Sequence, residues 1–314
     1  MHYPMILSPV FKEYVWGGKN LKKIYKGACS PDRIAESWVL SCHWDGITGI
    51  ANGKYAGKTL NDYIQDTKGA VLGNYCNNGE MPLLLKIIDA ADHLSIQVHP
   101  DTAYAGRVEN QPGKKEAWYV MDCIRDAFLY YGFNRKLSRE EFLARAKDGT
   151  ILETLNRVSV KPGDVFFIDS GIIHAIGKGM TVVEIGSNCN ITYRIFDYFR
   201  TDKYGKQREL HIEKAADVAV LEKIQAVPLM KNGIMDCADF YMQEIKLDGK
   251  MVITAGAESF HSLLCIKGNC LLLFNGLKIP VEIGTSLFVP ADMGAYTLQG
   301  NSVVLKTAVG RRQN

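Results

Sequence analysis

The sequence predicts a mainly β protein, a sandwich or barrel with a few helices packed at its edges, followed from about residue 231 by a second, smaller β unit. Three observations carry this expectation. Short apolar runs recur at close spacing, each broken by Gly, Pro, Asn or Asp, as closely spaced strands require. Helical periodicity is scarce. Where the longest helical stretch ends, near residues 225–237, a fresh series of strand-like runs begins.

Taken in chain order, the first clear strand is Met81-Pro-Leu-Leu-Leu-Lys-Ile-Ile-Asp89, and the next is Leu94-Ser-Ile-Gln-Val-His-Pro-Asp101. The second alternates polar and apolar residues, so Ser95, Gln97 and His99 share one face while Ile96 and Val98 share the other. Ser138 with Glu141 reads as a capping box that opens a helix running to about Lys147. After the Pro162-Gly163-Asp164 turn comes the strand Val165–Ile168, and an Ala-rich helix spans His211 to about Leu221. The later strands are Phe240–Leu247, Leu263–Gly268, a run ending at Val289, and Val303–Leu305. The division implied is 1–230 and 231–314. Gly284-Thr-Ser-Leu-Phe-Val-Pro290 repeats the pattern of Gly163-Asp-Val-Phe-Phe-Ile-Asp169, but only the first copy goes on to a histidine, His174, where the second has Ala295. One metal per chain is therefore expected, in the first unit.

With 314 residues, 47% of them apolar, the chain can bury a sizeable core. Its 37 basic and 34 acidic residues leave a formal charge of +3 with no basic block, which argues against a nucleic-acid partner. No run of about 18 apolar residues suggests a membrane span, and the N-terminus lacks a signal pattern, so a cytoplasmic protein is expected. The eight cysteines are scattered, without a CxxC pair, and read as reduced structural thiols.

The chemistry concentrates in four residues. Gln97 and His99 lie on one strand face; Glu116 follows in Lys114-Lys115-Glu116-Ala-Trp118, and His174 follows the Pro-Gly-Asp turn. Two imidazoles, a carboxylate and an amide oxygen form a donor set that suits Zn²⁺ and tolerates Mn²⁺, Co²⁺ or Fe²⁺. Taken singly, each histidine would read as an ordinary hydrogen-bonded residue; the spacing they share is what points to a metal.

That spacing resembles the cupin signature, with Gln97 at its first histidine position and Asp169 in place of a usual proline. The surrounding words narrow the likeness. Pro9-Val-Phe-Lys-Glu-Tyr-Val-Trp16-Gly17-Gly18, Glu36-Ser37-Trp38, Leu94 to Asp101, Lys114 to Trp118, Pro162 to Gly179 and Thr192-Tyr193-Arg194 together resemble the type I mannose-6-phosphate isomerases in their short bacterial form, over roughly residues 4 to 225. The resemblance implies two cupin-type jelly-roll barrels, the second without metal, and an aldose–ketose isomerase acting on a sugar phosphate. It makes Gln97, His99, Glu116 and His174 the zinc ligands. It makes Lys114, Glu184 and Arg194 the catalytic residues, and it puts Ser95 and Arg200 at the phosphate. Lys114, close to a cation and flanked by Lys115, is a candidate for a depressed pKa. The chain departs from the family's usual E-x-Q-Q-N-S-D in reading Glu184-Ile-Gly186-Ser187-Asn188-Cys189-Asn190, which puts an amide where an acid is usual. Two other readings are a non-catalytic sugar-phosphate-binding or regulatory cupin and an iron(II) cupin oxygenase; the second gives no reason for Lys114, Arg194 or the Trp16 motif.

Overall fold

A strand covered on both faces has no polar side to show, and the longest apolar runs here form such strands. The computed structural model describes residues 2–25, 33–76, 78–202, 204–225 and 233–310. Among these it is mainly β, with three antiparallel sheets and five α-helices. The central sheet has the strand order Val165–Ile168, Glu116–Cys123, Met180–Ser187, Leu83–Ala90, Glu36–Leu40, Val10–Lys12.

Alternation sorts the residues of that sheet between two cores. Leu83, Leu85, Ile87, Ala117, Tyr119, Val183 and Ile185 pack with Phe240, Leu264 and Phe288 from the C-terminal part of the chain. Ile88, Trp118, Val120 and Val182 face the other way, against Leu129 and Ile176. Those two belong to a five-stranded sheet ordered Tyr193–Phe196, Ile96–Val98, His174–Ile176, Phe128–Phe133, Leu155–Ser159. On its far face Ile96, Val98 and Ile195 are sealed by Phe142 and Ala146 of the helix Arg139–Asp148 and by Ala215 of the helix Ile212–Val218. The functional face thus lies between two sheets, each backed by its own core.

The third sheet takes strands from both ends of the chain. Met5–Ser8 pairs with Ser286–Val289, setting Met5 opposite Phe288, and Gly49–Ile50 extends the sheet beyond it. Met5 is fully buried, and a methionine side chain so buried contributes about 1.5–3 kcal/mol. The sheet boundary therefore does not follow a division near residue 230; the segment 226–232, where that division falls, lies outside the described residues.

Local expectations meet mixed outcomes. Ser138 does cap its helix, accepting from the Glu141 backbone N–H at 3.2 Å. The reciprocal half of the box is missing because the Glu141 carboxylate is taken by Arg135 and Arg145. A complete capping box forms instead at Thr59 and Asp62, which the sequence reading passed over. The Ala-rich helix is shorter than expected, Ile212–Val218, ending where Ala219 turns extended. The repeated turns at Gly163 and Gly284 adopt the same left-handed conformation, φ +92° and +87°, which only glycine takes without strain. Cys42, Cys76, Cys123, Cys189, Cys237, Cys265 and Cys270 are free thiols, and Cys29 lies outside the described residues. Among the described residues no helix is long and apolar enough to cross a membrane.

Candidate metal centre and its cavity

The strand register puts the donors together. On the five-stranded sheet Gln97 pairs with His174 on one side and with Arg194 on the other, so three polar side chains line up across neighbouring strands. Facing them on the central sheet, Glu116 opens one strand opposite Gly186, and Glu184 stands opposite Lys86. Between the sheets, His99, Glu116 and His174 are fully buried and their ligand atoms all lie within 4.8 Å of one another. Glu116 Oε2 is 3.4 Å from His99 Nε2, and Glu116 Oε1 is 3.3 Å from His174 Nε2.

Backbone carbonyls fix how the imidazoles point. His99 Nδ1 lies 2.8 Å from the Ile191 carbonyl and His174 Nδ1 lies 2.7 Å from that of Ile172. A carbonyl only accepts, so both protons sit on Nδ1 and both Nε2 lone pairs face Glu116. Burial drives both histidines below their ordinary pKa, His174 to about 3, keeping them neutral as ligands must be. His99 Nε2 and both Glu116 oxygens are buried without a well-formed hydrogen bond, Oε2 being held by its ion pair with Lys114. Unsatisfied buried atoms of this kind are costly, and a divalent cation satisfies all three at once. The Gln97 carboxamide lies 3.4 Å from His174 Nε2, and a half-turn of the amide presents its oxygen to the same point. The donor set fits a metal.

The neighbouring charges are nearly balanced. Lys114 Nζ sits 2.7 Å from Glu116 Oε2 and 3.1 Å from Glu184 Oε1. Burial works against its charge, but the two carboxylates prevail and hold its pKa above the ordinary lysine range. The depressed pKa considered from the sequence is thus corrected: of the two, Glu184 lies 70 residues away in sequence and was not visible from the residues around Lys114, where Lys115 and the expected cation argued for a lowered value. For Glu116, burial opposes ionisation, while Lys114 and His99 outweigh it and keep the carboxyl well below its usual value. Lys86 lies 3.5 Å from Glu184 and 3.6 Å from Glu36, with the Trp38 ring 4.8 Å from its ammonium.

These groups open on a cavity of about 200 Å³. Ser95, Gln97, Lys114, Glu184 and Arg194 all line it. Arg194 donates to the Glu209 carbonyl at 2.8 Å and keeps its Nε buried and unbonded; burial, and then the charge of Arg208, lower its pKa. Arg200 is not brought to the cavity. Its guanidinium is held by Asp197, Asp92 and the His93 carbonyl, and the arginine that joins Arg194 at the wall is Arg208, whose Nε and one terminal nitrogen are clasped by the same Asp197. The sequence reading missed Lys86, Glu36 and Arg208. A lysine inside the run Leu83–Ile88 was a usable signal for the first; Arg208, in a polar segment, offered none.

Residues 5–119 match the family described as "Phosphomannose isomerase type I, catalytic domain", and residues 231–308 match "Mannose-6-phosphate isomerase, cupin domain". The chain is 35% identical to "Mannose-6-phosphate isomerase ManA" of Bacillus subtilis (strain 168) over 308 residues, 95% of this chain and 96% of the relative. A crystal structure of the mannose 6-phosphate isomerase from Bacillus subtilis superposes with a TM-score of 0.88 at 32% identity, covering 97% of this chain and 99% of that one. The same fold recurs in a mannose 6-phosphate isomerase structure bound with zinc and yttrium, TM-score 0.76 at 20% identity, over 98% of this chain and 99% of that one.

Proposed function

Because the chain belongs to the type I phosphomannose isomerase family, we propose that it interconverts mannose 6-phosphate and fructose 6-phosphate at the cavity beside His99, Glu116 and His174. The carrying observation is the set of buried metal-ligand atoms, His99 Nε2 and both Glu116 oxygens, converging without a well-formed hydrogen bond where a cavity lined by cations and carboxylates begins. The metal is zinc, held by Gln97, His99, Glu116 and His174. Support for zinc comes from the borderline donor set and from the zinc-bound relative of the same fold. When bound, the ion supplies Lewis-acid stabilisation of the oxyanion charge that develops at C1 and C2 of the sugar.

The chain's own residues do the rest. Glu184, lining the cavity between two lysines, carries the proton between C1 and C2. Lys114 stays charged and serves as a fixed cation and hydrogen-bond donor toward a sugar oxygen. Arg194 orients the substrate, and Ser95 with Arg208, rather than Arg200, takes the phosphate; binding energy gained there positions the reacting carbons. The same proposal includes two jelly-roll barrels, 1–230 and 231–314, with metal only in the first. The cupin-domain match at 231–308 supports it, as does Ala295 standing where the first copy has His174. A phosphorylated sugar as substrate favours the cytoplasm.

The test is turnover of mannose 6-phosphate by the purified chain, with and without a chelator. Activity that chelation removes and Zn²⁺ restores is expected. Binding without turnover would sink the isomerase reading in favour of a sugar-phosphate-binding protein, and oxygen consumption with Fe²⁺ in favour of an oxygenase.

A further inference from the structure

We propose that Asp45 is a positioning residue of this site, acting through Asn190 on Lys86. The inference rests on the isomerase reading and adds to it a residue remote from the metal. Asn190 lines the cavity, and its carboxamide is held at both ends: Oδ1 accepts from Lys86 Nζ at 3.2 Å, and Nδ2 donates to Asp45 Oδ2 at 3.0 Å. A lone carboxamide turns over at little cost. Between an ammonium and a carboxylate it does not, because the flipped amide would set its NH₂ against Lys86 and its oxygen against Asp45. Hydrogen bonds to ionised groups are also roughly twice as strong as neutral ones.

The residue at the far end is itself anchored through its backbone. Asp45 donates its backbone N–H to His43 Nδ1 at 3.1 Å, and its carbonyl accepts from Lys12 Nζ. Lys86, buried at 3% exposure, has two further partners at almost equal distance, Glu36 at 3.6 Å and Glu184 at 3.5 Å. Small forces decide how an ammonium divides itself between two such carboxylates. The pull through Asn190 adds to these and to the Trp38 ring 4.8 Å away, so Asp45 sets where Lys86 sits and how much of its charge Glu184 feels. A chain of polar contacts thereby runs from a loop at the surface, where Asp45 is 28% exposed, to the carboxylate assigned the proton transfer. The acid and the amide are 145 residues apart in sequence, and their roles are exchangeable in principle, since swapping them keeps the net charge and one hydrogen bond between them.

The experiment is a double-mutant cycle on the zinc-loaded full chain, reading kcat, KM, metal content and Tm. Asp45→Asn keeps an acceptor for Asn190 and removes only the charge, so kcat should fall about tenfold, with KM within about threefold and metal content and Tm unchanged. Asn190→Asp alone sets two carboxylates side by side and should also slow turnover. The combined exchange Asp45→Asn/Asn190→Asp should return kcat to within about threefold of wild type. An Asp45→Asn protein with wild-type kcat overturns the inference, as does one whose only change is a lower Tm, or a combined variant as slow as the product of the two single losses. Should Asp45→Asn not fold, comparison of Asn190→Asp with the combined variant still decides, since rescue is expected and its lack refutes. A wild-type protein without turnover overturns the isomerase reading itself, a result distinct from an active wild type with an equally active Asp45→Asn.

Discussion

Lys114→Met deletes the ammonium at the centre of the cavity while filling much the same space, and its consequences can be worked from the distances. Lys114 is 3% exposed and lies 2.7 Å from Glu116 and 3.1 Å from Glu184. Removing it strands Glu116, which is fully buried and whose Oε1 makes no hydrogen bond. Deleting one partner of a buried ion pair costs about 3–5 kcal/mol. In metal-free protein that whole cost should appear. In loaded protein the divalent ion neutralises Glu116 instead, and Glu184 keeps Lys86 at 3.5 Å, so the loss should shrink to less than half. The assay is urea unfolding in chelator and under saturating zinc, together with kcat of the loaded variant, which should drop by about 10²- to 10³-fold, as for loss of a fixed donor to the developing oxyanion. Equal destabilisation in the two states, or a metal-free loss below about 1 kcal/mol, would refute the assignment of Lys114 as the counter-charge of Glu116.

Three further outcomes are expected. His99→Ala or His174→Ala should abolish both metal binding and turnover in a protein that otherwise holds about one ion per chain; metal analysis showing two ions, or full occupancy in His174→Ala, contradicts the centre described. Arg208→Ala should raise KM for mannose 6-phosphate about tenfold or more, whereas Arg200→Ala, whose guanidinium points to Asp92 and the His93 carbonyl, should leave KM within about threefold; steady-state kinetics giving the reverse order would return Arg200 to the phosphate. His261 provides a pH effect away from the metal. Burial, and then Lys306, lower its pKa to about 4, so between about pH 6.5 and 4 the unfolded chain takes up a proton that the fold refuses. Stability attributable to this group is therefore fully present above pH 6.5 and falls as pH drops, by about 3 kcal/mol at most. His261→Gln should show a flatter stability profile across that window in thermal unfolding, and parallel profiles for the two proteins would dismiss the effect.

What the sequence reveals of this molecule is what local geometry dictates. Gln97 and His99 share a face because strand alternation has a period of two, and His174 follows a turn whose glycine needs a positive φ; both constraints are written within a few residues. The mainly β character was legible for the same reason. Lys86 escaped notice because its strand is buried on both faces, so the run around it carries no alternation to say which core each residue enters. Arg200 and Arg208 occupy one polar segment, and the choice between them depends on how Asp197 clasps both side chains, a tertiary fact. The Glu141 carboxylate likewise left its expected cap for two arginines that outbid a single backbone N–H. The charged row of the cavity depends on register most of all. Lys86 meets Glu184 because Leu83–Ala90 and Met180–Ser187 pair with those two residues directly opposite. A slip of one residue in either strand would turn its charged side chain from the cavity into the apolar core shared with the C-terminal sheet. That core, by refusing the two charges, holds the register, so the apolar residues of the central sheet align the polar ones that do the chemistry.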